Sequence, residues 1–251
     1  MGDYDNDGYV DLFVAGGWWD GQAHVHTKSF LYHNNGDGTF TPVRTGSPVN
    51  DVTDANGAYW VDYNRDGFLD LFVWAHGHEP VSAPNLLYRN NGNSNNWLCV
   101  NCVGTSSPRD GTGAKVRAKA TIRGKEMWQL RLINSGGSGW GGQSFVAHFG
   151  LGDATNVDVL RIEWTSGIVQ ELSNLPAKQY LTVTEPARLS MPTPGEVHIQ
   201  CWKGMAYRIE ASTDLSAWTP LTTVTNLTGK LQWTDTNAPG RGARFYRAVR
   251  Q

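Results

Sequence analysis

The sequence predicts an all-β protein: partial β-propeller-type repeats, then an antiparallel β domain, then a small C-terminal β-sandwich. Three observations lead there. Short apolar runs rich in Val, Leu, Phe and Trp are separated by clusters of Gly, Asn, Asp, Ser and Thr, the pattern of strands punctuated by turns. An internal repeat occupies the first ninety-five residues. Beyond it the runs alternate apolar and polar side chains, as half-buried antiparallel strands do.

The repeat begins with "DYDNDGYVD" at residues 3–11, which returns as "DYNRDGFLD" at 62–70. Each copy leads into an apolar strand, "VDLFVAGG" at 10–17 and "LDLFVWAH" at 69–76. A second matched pair follows, "FLYHNNGDG" at 30–38 and "LLYRNNGNS" at 86–94. Each unit reads as strand, Asn-Gly or Asp-Gly turn, strand, which is hairpin chemistry. A propeller blade has four strands and closure takes about four to eight blades. Two units at most are present, and the first acidic loop starts at Asp3 with no strand ahead of it, so the sequence is expected to be a piece of a longer chain. The open blade edges predict self-association or fraying over 1–95.

From Asn96 the expected strands are 114–122, 126–133, 143–152, 157–164 and 168–172, with turns at "RDGTG", "RGK" and "TSG". "TEPARLSMPTPGE" at 184–196 reads as a linker with three prolines. The expected domains are therefore 1–95, 96–185 and 186–251. In the last, "VHIQCW", "AYRIEAS", "LTTVTN", "KLQWTD" and "ARFYRAVR" have the spacing of a sandwich.

Charge is unevenly spread behind a formal net of −2. Residues 1–95 carry four basic and twelve acidic side chains, residues 96–185 nine and seven, and residues 186–251 eight and four. The acid concentrates where the repeats are. In D-x-D-x-D-G-x-x-D, positions one, three, five and nine offer side-chain oxygens and position seven its carbonyl. These are Asp3, Asp5, Asp7, Tyr9 and Asp11 in the first loop, and Asp62, Asn64, Asp66, Phe68 and Asp70 in the second. Carboxylates so close repel one another unless a cation sits among them. Calcium takes six to eight oxygens in flexible geometry, and Gly8 or Gly67 permits the sharp turn; magnesium demands a stricter octahedron and zinc softer ligands. Calcium is the expected ion, weaker at the second loop, where Asn64 replaces a carboxylate and Arg65 adds positive charge.

These motifs carry a family resemblance. G-D-Y-D-N-D-G-x-x-D-L-F-V followed by L-Y-x-N-N-G-D-G-T-F resembles the FG-GAP/VCBS repeat of integrin alpha-chain propellers and many secreted bacterial proteins. "NWLCVNCVGTSSPRDGTGAKV", "HFGLGDATNVDVLRIEWTSGIVQEL" and "AKQYLTV" resemble the ASPIC/UnbV domain, which follows such repeats in the cartilage acidic protein family and its secreted bacterial relatives. "YRIEASTDLSAWTPL" with "RFYRAVR" is similar, more loosely, to C-terminal sandwich modules of large secreted bacterial proteins. The resemblance implies a calcium-stabilised extracellular or cell-surface protein of the binding or adhesion type and supplies no ligand; an unidentified extracellular protein or glycan is the expected partner. It brings no catalytic mechanism.

Other features are weighed against simpler roles. Cys99 and Cys102 form C-x-x-C, yet the flanking residues read as a strand, where residues three apart face opposite sides; with Cys201 they are expected to be ordinary buried thiols. His24 and His26, and His76, His78 and Glu79, have the spacing of a zinc or copper site but read as polar loop or strand-edge residues. "GSGWGG" at 137–142 is a glycine-rich turn, since no βαβ unit surrounds it. No nucleophile elbow, zinc-protease helix or P-loop motif occurs, so no enzymatic activity is expected. Trp18, Trp19 and Trp140 lie in glycine-rich stretches, as sugar-stacking platforms or as core, which raises carbohydrate recognition or processing as the alternative function. Arg241, Arg244, Arg247 and Arg250 alternate faces and form no nucleic-acid stripe; pairing with the acidic N-terminal segment, within the chain or between copies, is the expected role. No run of eighteen apolar residues suggests a membrane span, and no secretory leader is present, one being expected in the missing N-terminal part.

Overall fold

A computed structural model describes residues 1–19, 24–25, 27–75, 84–134, 144–238 and 244–251, with side chains left out at 18, 19, 24, 25 and 56. Every element among the described residues is a β-strand or bridge, and all named pairings are antiparallel. Among the described residues no helix is long and apolar enough to cross a membrane.

The repeat segment holds β1 (Leu12–Val14), β2 (Trp18–Trp19), β3 (His24–Val25), β4 (Thr27–Lys28), β5 (Phe30–Asn34), β6 (Phe40–Val43), β7 (Val52–Thr53), β8 (Ala55–Val61), β9 (Asp70–Ala75) and β10 (Leu86–Tyr88). Two three-stranded sheets result, in the orders β1-β5-β6 and β10-β9-β8. Their registers correspond. Leu12 faces Tyr32 and Phe13 faces Leu31 in the first; Leu71 faces Tyr88 and Phe72 faces Leu87 in the second. Val61 opposes Asp70 at the end of β8, and an isolated bridge between Gly2 and Asp11 stands at the same place ahead of β1. Alternate residues of these strands, Phe13, Leu31, Leu71 and Val73, form one apolar cluster with Val49 and Ala55, against which Trp60 packs.

The next segment contains β11 (Asn96–Val103), β12 (Lys115–Ile122), β13 (Lys125–Leu132), β14 (Val146–Gly152), β15 (Asn156–Glu163), β16 (Val169–Pro176) and β17 (Gln179–Thr184). They pair as β14-β11-β17 and β13-β12-β15-β16. The β12–β13 hairpin turns through Arg123 and Gly124, both at positive φ, as a two-residue turn matching strand twist requires. Inward residues Val116, Ala118 and Ala120 of β12, Phe149 and Leu151 of β14, and Val157, Leu160 and Ile162 of β15 are essentially solvent-free. Cys99 and Cys102 lie on β11, buried and unbonded, and burial pushes both thiols up to about 12, so neither is a thiolate at neutral pH.

The last strands are β18 (Arg188–Ser190), β19 (Glu196–Gln200), β20 (Ala206–Ser212), β21 (Thr219–Thr225), β22 (Leu231–Thr234) and β23 (Phe245–Arg250), in the sheets β18-β19-β22 and β21-β20-β23. Val197, Ile199, Tyr207, Ile209 and Leu231 make their common core. Two of the C-terminal arginines pair within their own sandwich and not with the repeat acids of the same chain: Arg244 meets Asp235 at 2.8 Å and Arg247 meets Glu210 at 2.6 Å, carboxylates that neighbouring strands bring alongside. Arg241 lies outside the described residues.

Two compact units emerge: Met1–Asn101, Thr112–Glu163 and Glu171–Thr182 form one, and Cys102–Gly111, Trp164–Gln170 and Val183–Gln251 the other. The second is tied by a buried carboxylate. Glu185, 1% exposed, accepts the backbone N–H groups of Thr105, Ser106 and Ser107 at 2.7–2.8 Å and the hydroxyls of Ser107 and Ser166. Burial alone would raise this carboxyl; the Ser166 hydroxyl and the three amides outweigh it and leave it below its usual range. A depressed carboxyl contributes stability that is present above its unfolded value of about 4.3 and lost as pH falls through the folded value. Glu185→Gln, which leaves buried amides without an anionic acceptor, is expected to cost on the order of 3 kcal/mol at pH 7 in denaturant unfolding, and the difference from wild type to shrink as the buffer is taken below pH 4.

Candidate metal centre

The two acidic loops fold alike because their side chains satisfy their own backbone in the same way. In the first, Asp3 accepts the N–H groups of Asp7 and Gly8, Asp5 that of Asp7, Asp7 that of Tyr9, and Asp11 that of Tyr4. In the second, Asp62 accepts from Asp66 and Gly67, Asn64 from Asp66, Asp66 from Phe68, and Asp70 from Tyr63. Gly8 and Gly67 sit at φ of 99° and 87°, and the residues at the fourth position, Asn6 and Arg65, are left-handed as well.

The matched second motif has a function the sequence did not disclose. Asn34 donates its backbone N–H to Asp11 at 2.8 Å and its amide to the carbonyl of Val10. Asn90 does the same with Asp70, at 2.7 Å, and Leu69. Each Asn therefore braces the last carboxylate of its loop. Asn93 and Asn95 hold the carbonyl of Asp5, and Asn90 that of Tyr4.

Both loops are seated on the β14-β11-β17 sheet. Asn6 donates to the carbonyl of Gly67 and accepts, through its own carbonyl, the N–H of Gly152. Tyr180 donates its hydroxyl to Asp62 at 2.5 Å, and His148 meets the Gly67 carbonyl at 3.0 Å through Nε2. Burial lowers His148 to about 4, so the ring is neutral and Nε2 carries the proton for that bond. Arg65 stacks over the Tyr180 ring at 4.3 Å. The approach is close: a Cβ on Gly67 would stand 1.7 Å from the Trp97 ring, and one on Gly150 2.1 Å from Asp3.

Electrostatics distinguish the loops. Asp3 and Asp11 are almost fully buried. Burial first, then the neighbouring carboxylates against Arg131, holds Asp3 well above its usual range. Burial raises Asp11 to about 6, while Asp5 is raised by burial and by Asp7. Oxygens of Asp3, Asp5 and Asp7 lie within 4.8 Å of one another, as do the ligand atoms of Asp5, Asp11 and His33. Among the described residues no such group forms in the second loop, where Asn64 turns its amide to Asp66 at 2.7 Å. Asp70 is raised, chiefly by burial. Loop one therefore presents buried, mutually repelling oxygens, the donor set that a hard dication fits.

Of the other candidates, His24 and the Trp18–Trp19 pair lie on β3 and β2 with only their backbone described. His26, His76, His78, Glu79, Trp140 and the 137–142 turn fall outside the described residues. His33, His148, Tyr180 and the two bracing asparagines were not singled out from the sequence. Only the repetition of "NN" after each strand carried a signal for the last pair.

With that geometry in place, comparison with known proteins defines the class: residues 3–73 match the FG-GAP-like repeat family, and residues 104–190 match the ASPIC and UnbV family. The chain is similar in particular to cartilage acidic protein 1 of Mus musculus and of Homo sapiens, 31% identical to each over 170 residues, and to that of Xenopus tropicalis, 28% identical over 167. Each alignment takes in 66% of this chain, and the chain spans about a quarter of the length of these curated relatives.

Two outcomes follow from the seating. Gly67→Ala is expected to lower the melting temperature sharply, by the equivalent of about 3 kcal/mol, since both the left-handed φ and the Trp97 ring oppose a methyl group. Tyr180→Phe, which frees Asp62 from its hydroxyl donor, is expected to weaken ion binding at the second loop about tenfold in calorimetric titration while leaving the first unchanged.

Proposed function

We propose that this protein is a calcium-binding, non-enzymatic binding or adhesion protein of the extracellular space or cell surface, in which calcium rigidifies the D-x-D-x-D-G-x-x-D turns. The observation that carries the reading is the first loop: four carboxylates, those of Asp3, Asp7 and Asp11 buried, are gathered about Asp5 by their own backbone and by Asn34. Asp3, Asp5, Asp7 and Asp11, with the carbonyl of Tyr9, would hold the ion there; Asp62, Asn64, Asp66, Asp70 and the carbonyl of Phe68 would hold a second, more weakly. When bound, calcium supplies the positive charge that the buried carboxylates lack. The chain's own residues do the rest: Gly8 and Gly67 make the turns, and Tyr180, His148 and Asn6 keep them on the sheet.

The ligand is proposed to be an extracellular protein or a glycan. The match to the two families and the likeness to cartilage acidic protein 1 support a scaffold of this kind.

Thermal unfolding in EGTA and in millimolar calcium tests the reading, with Asp7→Ala and Asp66→Ala alongside wild type. Calcium is expected to raise the midpoint of wild type by several degrees, Asp7→Ala to lose most of that gain and Asp66→Ala a smaller part. Identical midpoints with and without calcium would show the loops to be bare turns.

A further inference from the structure

The first loop has a donor the second lacks. His33, on β5, places Nδ1 3.2 Å from an Asp5 oxygen and 3.3 Å from an Asp11 oxygen, with Nε2 4.0 Å from Asp7. The residue at the matching place in the second motif is Arg89, a guanidinium with no lone pair to give a metal. Asn64 likewise stands where the first loop has Asp5. The repeats have thus diverged at the two positions that meet in space in the first: Arg89 offers no donor atom and Asn64 a neutral amide oxygen in place of a carboxylate.

The spacing suits coordination. Neighbouring ligands on an octahedral ion with bonds of about 2.2 Å lie roughly 3.1 Å apart, close to both His33 separations. A set of two carboxylates and one imidazole also changes which ion is preferred. Oxygen-only sites suit calcium and magnesium, whereas an imidazole nitrogen favours first-row transition ions in rising order from manganese. β5 fixes this donor: Leu31 is buried in the apolar cluster, and Asn34 is anchored to Asp11 and Val10, so His33 between them is held over the loop.

Building on the proposed metal role of the loops, we infer that His33 is a ligand of the first loop and that, with Asp5 and Asp11, it makes this loop a site for a first-row transition dication, while the second loop remains an oxygen-only site. The first loop would then take a first-row transition dication as well as calcium, a choice that the second loop's oxygens do not offer.

Manganese(II) titration of the intact chain, followed by pulsed electron paramagnetic resonance, tests this. Asp66→Ala serves as background to quiet the second loop, and His33→Gln and His33→Arg are the variants. A nitrogen-14 coupling of imidazole type is expected on bound manganese and should vanish in both His33 variants. The manganese Kd is expected to rise tenfold or more in His33→Gln, while the calcium Kd changes less than threefold. Manganese bound with oxygen ligands only, a nitrogen coupling that survives His33→Gln, or an unchanged manganese Kd would each overturn the inference and leave the calcium reading standing. If the first loop takes neither calcium nor manganese, both fall together. The wild-type spectrum decides the point even where a variant folds poorly.

Discussion

Repulsion among carboxylates held in one tight turn is the constraint on which the repeat half of this molecule depends. Four aspartates within nine residues would move apart in a free chain. Here they cannot, because each accepts a backbone N–H of its own loop and the turn is bent over a glycine at positive φ. The loop is thus closed by hydrogen bonds and strained by charge. The carboxyls of Asp3, Asp5 and Asp11 are raised, first by burial and then by the neighbouring carboxylates. A bound cation would remove the repulsion without altering a single backbone bond.

The rest of the unit is arranged to keep the loops from relaxing. Asn34 and Asn90 fasten the last aspartate of each loop to the strand that follows. The sheet β14-β11-β17 supplies the platform: Gly150 and Gly152 lie against the first loop, and Tyr180, His148 and Trp97 against the second. Glycine on the platform is a packing requirement at Gly150, since a side chain there would displace Asp3.

In the other unit a single anion plays the opposite part. Among the described residues Glu185 has no cationic partner and is nevertheless stabilised, because three successive amides and the hydroxyls of Thr105, Ser107 and Ser166 converge on it. Burial raises both carboxyls; at Asp3 it prevails, and at Glu185 the converging donors outweigh it.

The sequence by itself determined the all-β class, the repeat, its matched strands and the acidic turns, because these depend on periodicity, turn residues and local hydrogen bonding, all legible within ten residues. The register correspondence of Phe13 with Leu31 and of Phe72 with Leu87 was implicit in the spacing of the two motifs. Only the tertiary structure decided which distant residues attend those turns. His33 reaches Asp5 from across a hairpin, and Tyr180 meets Asp62 from 118 residues away. Arg244 and Arg247 pair with carboxylates that neighbouring strands of their own sandwich bring alongside, since ion pairs follow proximity in space and not net charge along the chain. Contacts of that kind arise from how sheets stack, and no local pattern of residues encodes them.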